Sequence, residues 1–181
     1  MEKLLDHEKV KVALDAKTKF TEKAGFCVNL RVSAILDLLH QDIDNILFVD
    51  ADTIIRKDLS KLFKQFRSHD ILIHKRPNEK PFMRVAGGVI GVRNTRWTKN
   101  FFSRFLEHVN NLGNKEFFSD QWGFSLTMQE LNAGSRIGHL AKNYIDWDFN
   151  ADSFIWVGKG QRKYKNAEYL AEKSNYEPIN Q

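Results

Sequence analysis

Short apolar runs alternate along this 181-residue chain with longer stretches in which apolar residues recur at helical spacing. "VKVALDA" (Val10–Ala16) reads as a first strand, and "VNLRVSAILDLLH" then carries Val28, Val32, Ile35, Leu36 and Leu39 on one side of a helix. "DNILFVD" (Asp44–Asp50) is the next strand; its near-continuous apolarity predicts cover on both faces, as in a parallel sheet. Asp58 in "DLSKLFKQF" is placed to cap a short helix, and "DILIH" (Asp70–His74) reads as a third strand. "RVAGGVIGVRN" is a fourth, interrupted by Gly87 and Gly88, where the backbone is expected to approach something closely. Trp97, Phe101, Phe102, Phe105, Leu106 and Val109 form one apolar helix face, and "FSDQWGFSLTMQEL" reads as a further helix. "GHLAKNYIDWDF" and "SFIWVGKGQRK" follow as strands and loops before a lysine-rich tail. Strands alternating with helices predict an α/β layered domain with a mostly parallel sheet flanked by helices. With no repeat, low-complexity stretch or internal boundary, residues 1–181 are expected to form a single domain.

Composition narrows the setting. With 42% hydrophobic residues the chain can bury a core. No apolar run approaches the roughly 18–20 residues of a membrane span, and the charged start "MEKLLDHEKVK" lacks a signal-peptide core. Cys27 is the only cysteine, so no disulfide forms within the chain; a cytoplasmic location is expected. A net charge of +5 suits an anionic partner, but the cations are dispersed apart from "KGQRKYK" (Lys159–Lys165), and no nucleic-acid motif accompanies them. Nucleic acid is therefore not expected as a partner, which leaves an anionic membrane surface or a phosphorylated small molecule.

The chemistry centres on Asp50 and Asp52. They follow a buried strand, at the carboxyl end where open α/β sheets gather their ligands. If the backbone stays extended, residues i and i+2 point the same way, and both carboxylates converge on one hard cation. The other reading is a capping Asp50 and a solvated Asp52.

"NILFVDADTIIRKDL" resembles the Asp-x-Asp segment of glycosyltransferases with the GT-A fold, in particular the group containing glycogenin and the bacterial lipopolysaccharide sugar transferases. "AGGVIGV" resembles the small-residue strand lining the sugar pocket, "SDQW" the Asp-Gln step beside the anomeric carbon, and "WVGKGQRK" the C-terminal His-x-x-Gly-x-x-Lys element. The resemblance spans Val10 to Lys163. It implies a GT-A-like, Rossmann-like fold, Mn²⁺ or Mg²⁺ on Asp50 and Asp52, a nucleotide-sugar donor (a UDP-sugar first), a glycan or glycoprotein acceptor and a retaining outcome. It also implies donor-binding roles for Arg31, Asp50, Ala51, Asp52, Gly87, Gly88, Lys159, Gly160 and Lys163, and catalytic roles for Asp120 and Gln121. Two departures stand out. The metal-binding histidine falls on Val157, which cannot coordinate a metal, so His139 becomes a substitute candidate. Only nine residues precede Val10, so the fold is expected to be short at its N-terminus.

The residue types suit breaking a sugar–phosphate bond. A cation on two carboxylates neutralises the leaving diphosphate, and lysines in a glycine-flanked loop present compact charges to it. Each residue has a plainer reading too: Arg31 as a surface helix arginine, "GKGQRKYK" as a solvated turn, Ser119 or Asp120 as a helix cap, Trp147 as core rather than an acceptor platform beside Asp146 and Asp148. Two other functions stay open. One is a non-catalytic GT-A-like binding module, which Val157 favours. The other is a haloacid-dehalogenase-type phosphatase using Asp50 as nucleophile and Asp52 as acid/base, although such an enzyme needs a later acidic pair and the chain offers only Asp120.

Overall fold

A computed structural model describes residues 20–80, 83–112 and 119–176, their side chains from residue 30 onward. The strand expected over Val10–Ala16 lies outside them. Helix α1 (Phe20–Leu39) leads into β1 (Asn45–Val49), a turn and β2 (Thr53–Ile55). A one-turn α2 (Ser60–Phe63) runs on as a 3₁₀ segment to Arg67, before β3 (Ile71–Lys75), β4 (Val85–Arg93), α3 (Arg96–Asn111) and α4 (Ser119–Glu130). β5 (Ile137–His139), β6 (Ile155–Val157), a 3₁₀ turn at Gly160–Tyr164 and α5 (Ala167–Ser174) complete the described chain.

The main sheet has the order β1-β4-β3-β5, with β2 and β6 paired separately. β4 runs antiparallel to both β1 and β3, and β5 parallel to β3. Three of the four strands therefore share one direction, as expected, but the reversed β4 between β1 and β3 makes the sheet mixed.

Both faces are covered. Ile71 and Ile73 of β3 join Val32, Ile35 and Leu39 of α1, Phe101, Phe102 and Phe105 of α3, and Phe124 of α4. Leu72, one residue out of phase, turns to a second cluster with Leu62, Phe66, Leu140, Ile155 and Val157. That alternation is the two-residue period of a strand, so the apolar runs carry side chains for two cores. In α3 the expected face is buried at Phe101, Phe102, Phe105 and Val109. Thr95 and Thr98 cap it reciprocally, Thr95 Oγ1 accepting from Thr98 N at 3.1 Å and Thr98 Oγ1 from Thr95 N at 2.9 Å.

Asp58 works differently from the expectation. The residue before the helix is Leu59, and Asp58 Oδ1 instead accepts from Ser60 N at 3.2 Å and Ser60 Oγ at 2.8 Å, an Asx-type turn that leads the chain into α2.

Two irregularities shape the carboxyl edge of the sheet. Along β4 the pairing to β3 jumps from Ile73↔Ile90 to His74↔Ala86, which throws Gly87, Gly88 and Val89 into a bulge. Beyond β1, Asp50 N still donates to Gly88 O at 3.0 Å, and Thr53 N closes a turn on Asp50 O at 3.0 Å. The Asp50–Asp52 segment is thus a turn and not the expected extended stretch, because β2 leaves the main sheet to pair with β6.

Candidate active site

Six segments distant in sequence meet at this edge. Arg31, on α1, is the hub. Its Nη2 donates to Asp50 Oδ1 at 2.6 Å, and its Nη1 to Asp120 Oδ2 at 2.9 Å and to Gly87 O at 3.2 Å. The bulge explains why glycine stands here. A Cβ on Gly87 would lie 2.8 Å from Arg31 Nη1 and 3.3 Å from Asp120 Oδ2; one on Gly88 would lie 3.1 Å from Asp50 Oδ2 and 3.2 Å from Val157 Cγ1. Bare backbone is what lets the arginine and the carboxylates close on β4.

Asp52 has its own cation. Lys163 Nζ donates to its Oδ2 at 2.7 Å, while its carbonyl accepts from Gly158 N at 2.9 Å and from the Tyr169 hydroxyl at 2.8 Å. The turn between the aspartates is therefore clamped by β6, the 3₁₀ turn and α5. Gly160 takes φ +57°, a left-handed conformation that carries the chain from β6 into the turn bearing Lys163. Ala51 is exposed at the tip of the Asp50–Asp52 turn.

The electrostatics follow from this packing. Burial pushes the Asp50 carboxyl above its usual range, Arg31 opposes the shift, and Asp52 and Asp120 add to it. Burial raises Asp120 likewise, against Arg31 and the Gln121 N–H that its Oδ1 accepts at 2.7 Å. The hydrogen bond to Asp52 holds the Lys163 ammonium above the ordinary lysine range.

The expected site residues thus gather, with two exceptions. Lys159 leaves the aspartates for the ring of Trp147, its Nζ 4.4 Å from the centroid. His139 ends β5, with two strands between it and β1, where its ring lies tilted against His74 at 5.1 Å and accepts from Lys75 N. It does not complete a metal site with the aspartates: among the described residues no group of three or more His, Cys, Asp or Glu is placed to hold one ion. Val157, by contrast, does stand beside Asp50 across Gly88, where the resemblance put the histidine. Ser119 and Asp120 open α4, and Asp120 is also drawn into the site, so cap and site readings coincide on one residue.

Two residues escaped the sequence reading. Arg76 Nη2 donates to Gln121 Oε1 at 3.3 Å and to Val85 O at 3.0 Å; its place just after strand "DILIHK" was the available signal. Tyr169 carries no local signal, because its partner is a carbonyl 117 residues away. Asp146, considered beside Trp147, is wholly buried and takes four hydrogen bonds, from Asp148 N, Asn150 N, Asn150 Nδ2 and Ser153 Oγ. It organises its own loop.

Solved structures of glycosyltransferases share this mixed α/β fold. Apo mouse xyloside xylosyltransferase 1 is similar over 75% of this chain and 65% of its own (14% identity, TM-score 0.51). The apo glycosyltransferase GlyE of Streptococcus pneumoniae TIGR4 is similar over 79% of this chain and 39% of its own (16% identity, TM-score 0.56). The chain belongs to the nucleotide-diphospho-sugar transferase family, whose model matches residues 5–174. It spans less than two thirds of the length of either structural neighbour. No curated protein matches the chain significantly. The family membership removes the phosphatase reading. No described helix is long and apolar enough to cross a membrane.

Proposed function

We propose that the chain transfers a sugar from a nucleotide-diphosphate sugar, a UDP-sugar first, to a carbohydrate or protein-linked acceptor, using Mn²⁺ or Mg²⁺ and retaining the anomeric configuration. The observation that carries this reading is the Arg31 bridge, which ties the aspartate after β1 to the aspartate opening α4 across the glycine bulge. That bridge joins the charged end of a donor to its sugar end.

The carboxylates of Asp50 and Asp52 form a hard oxygen donor set that suits Mg²⁺ or Mn²⁺, with diphosphate oxygens and water completing the shell where Val157 offers nothing. Such an ion, when bound, neutralises charge on the leaving diphosphate. The chain's own residues do the rest. Lys163 supplies a cation for the phosphates. Asp120, whose two oxygens are held by Arg31 and by Gln121 N, accepts hydroxyls of the donor sugar and is poorly placed to attack carbon. Gln121, turned by Arg76, presents its amide toward the anomeric carbon. Gly87 and Gly88 leave the room in which Arg31, Asp120 and Asp50 close on the strand beside the sugar. A cytoplasmic setting belongs to the same reading, supported by the lone cysteine.

The second reading, a binding module that holds the donor without transferring it, is favoured by Val157 alone. Calorimetric titration of UDP-sugars with and without Mn²⁺, followed by NMR of any hydrolysed sugar, separates the two. Metal-dependent binding with release of the starting anomer is expected. Binding without turnover would favour the module, and no binding of any nucleotide sugar would sink both.

A further inference from the structure

Beyond Gln121 the carboxyl edge of the sheet continues toward β5, away from Asp50, Asp52 and Lys163. Arg76 at the end of β3 bonds Gln121. Farther on, the half-buried Trp147 has Lys159 Nζ 4.4 Å and Lys142 Nζ 5.4 Å from its ring centroid, and the His74 ring set edge-on at 5.6 Å. Arg162 and Lys142 both bond Asp148. Burial holds the Lys159 ammonium below the ordinary lysine range, the charges of Arg76 and Arg162 add to the shift, and Glu79 and Asp148 oppose it. Two lysines thus flank one indole, and Lys142 and Arg162 share the single carboxylate of Asp148 beside it. Lysines perched over an aromatic ring without a full complement of anions are held weakly, and a charged oxygen ligand is a better partner for them than the π face.

An acceptor hydroxyl must reach the anomeric carbon, which the proposed function puts at Gln121. The diphosphate side of that point is taken by Asp50, Asp52 and Lys163, so the acceptor's body extends the other way, over Arg76 toward Trp147. We infer that the acceptor is an anionic saccharide, its apolar C–H face laid on the Trp147 indole and its carboxylate or phosphate taken by Lys159, Lys142 and Arg76. An indole supplies broad apolar contact at low entropic cost, and the cations select the charged sugar over a neutral one. This inference rests on the transferase reading for the word acceptor; the saccharide site itself does not.

The test is donor-free. Saturation-transfer NMR titrations of methyl β-glucuronide, glucose 6-phosphate and the neutral methyl β-glucoside are compared at low and at physiological salt. At least one charged probe is expected to bind tenfold or more tightly than the glucoside, with affinity falling as salt rises; whichever charged probe wins identifies carboxylate or phosphate. Trp147→Ala should lose at least tenfold in that affinity, and because this change could disturb packing, the exposed charge reversal Lys159→Glu is measured beside it with a melting curve. Equal binding of charged and neutral probes, no loss in Lys159→Glu, or displacement of the charged sugar by UDP would overturn the inference, the last because the cations would then belong to the donor diphosphate. A UDP-sugar titration distinguishes the two claims. Charged-sugar binding at Trp147 in a chain that neither binds nor cleaves UDP-sugars overturns the transferase reading and keeps the site; UDP-sugar turnover in a chain indifferent to sugar charge overturns the site alone.

Discussion

Arg31→Met removes the hub while keeping the length and apolar stem of the side chain. The arginine is only 19% exposed and its partners Asp50 and Asp120 are 30% and 10% exposed, so neither pair belongs to the surface class worth at most about 1 kcal/mol. Breaking a buried pair by deleting one partner costs roughly 3–5 kcal/mol, because the remaining charge stays buried. The Asp120 side takes most of that and the more exposed Asp50 side less, so about 3 kcal/mol in total is expected at neutral pH. For a domain of this size each kcal/mol moves the melting temperature by roughly 2–4 °C, giving a drop of about 6–12 °C. The sign of the pH dependence follows from burial, which already raises Asp120 with Arg31 present. A carboxyl whose folded-state pKa lies above its unfolded value favours folding while protonated, an advantage present below the unfolded pKa and lost as pH rises through the folded one. Without Arg31 that window widens upward, so the variant should recover part of its deficit between pH 7.5 and pH 5. Circular dichroism melts of parent and variant at both pH values measure it. A deficit under about 1 kcal/mol, or one equally large at pH 5, would refute the claim that Arg31 neutralises a buried carboxylate.

Other substitutions probe single contacts. Lys163→Ala should weaken nucleoside diphosphate binding by roughly 1–3 kcal/mol, the scale for losing one charged hydrogen-bond partner, and unchanged affinity in calorimetry would return Lys163 to a structural role on Asp52. Gly87→Ala puts a methyl 2.8 Å from Arg31 Nη1, so it should displace the arginine and depress donor affinity more than melting temperature; an unaltered titration would show that the bulge has slack. Val157→His restores an imidazole beside Asp50 and should tighten Mn²⁺ in the donor-free protein, read by electron paramagnetic resonance of free Mn²⁺. No gain there would mean that the 157 side chain does not face the aspartates.

Much of the fold was legible because its signals are local. Strand and helix periodicities record which residues face a core, and those at Ile46, Ile71–Ile73 and Phe101–Val109 are buried as their spacing requires. Asp50 and Asp52 could be singled out because carboxylates beside a buried strand are costly unless something offsets their charge, whereas Asp120 and Lys163 entered through the resemblance. What the local pattern does not contain is pairing between distant segments. That β4 runs backwards between β1 and β3 depends on which strand satisfies which edge, and apolar strands read the same in either direction. The turn at Asp50–Asp52 exists because β2 pairs with β6, a choice made a hundred residues downstream. Arg31 became the hub, Lys159 left the phosphate loop for Trp147 and Tyr169 bonded the Asp52 carbonyl for one physical reason. Each is a long or amphipathic side chain whose partner is chosen by packing, and a sequence records its charge and reach but not what the folded chain brings within that reach.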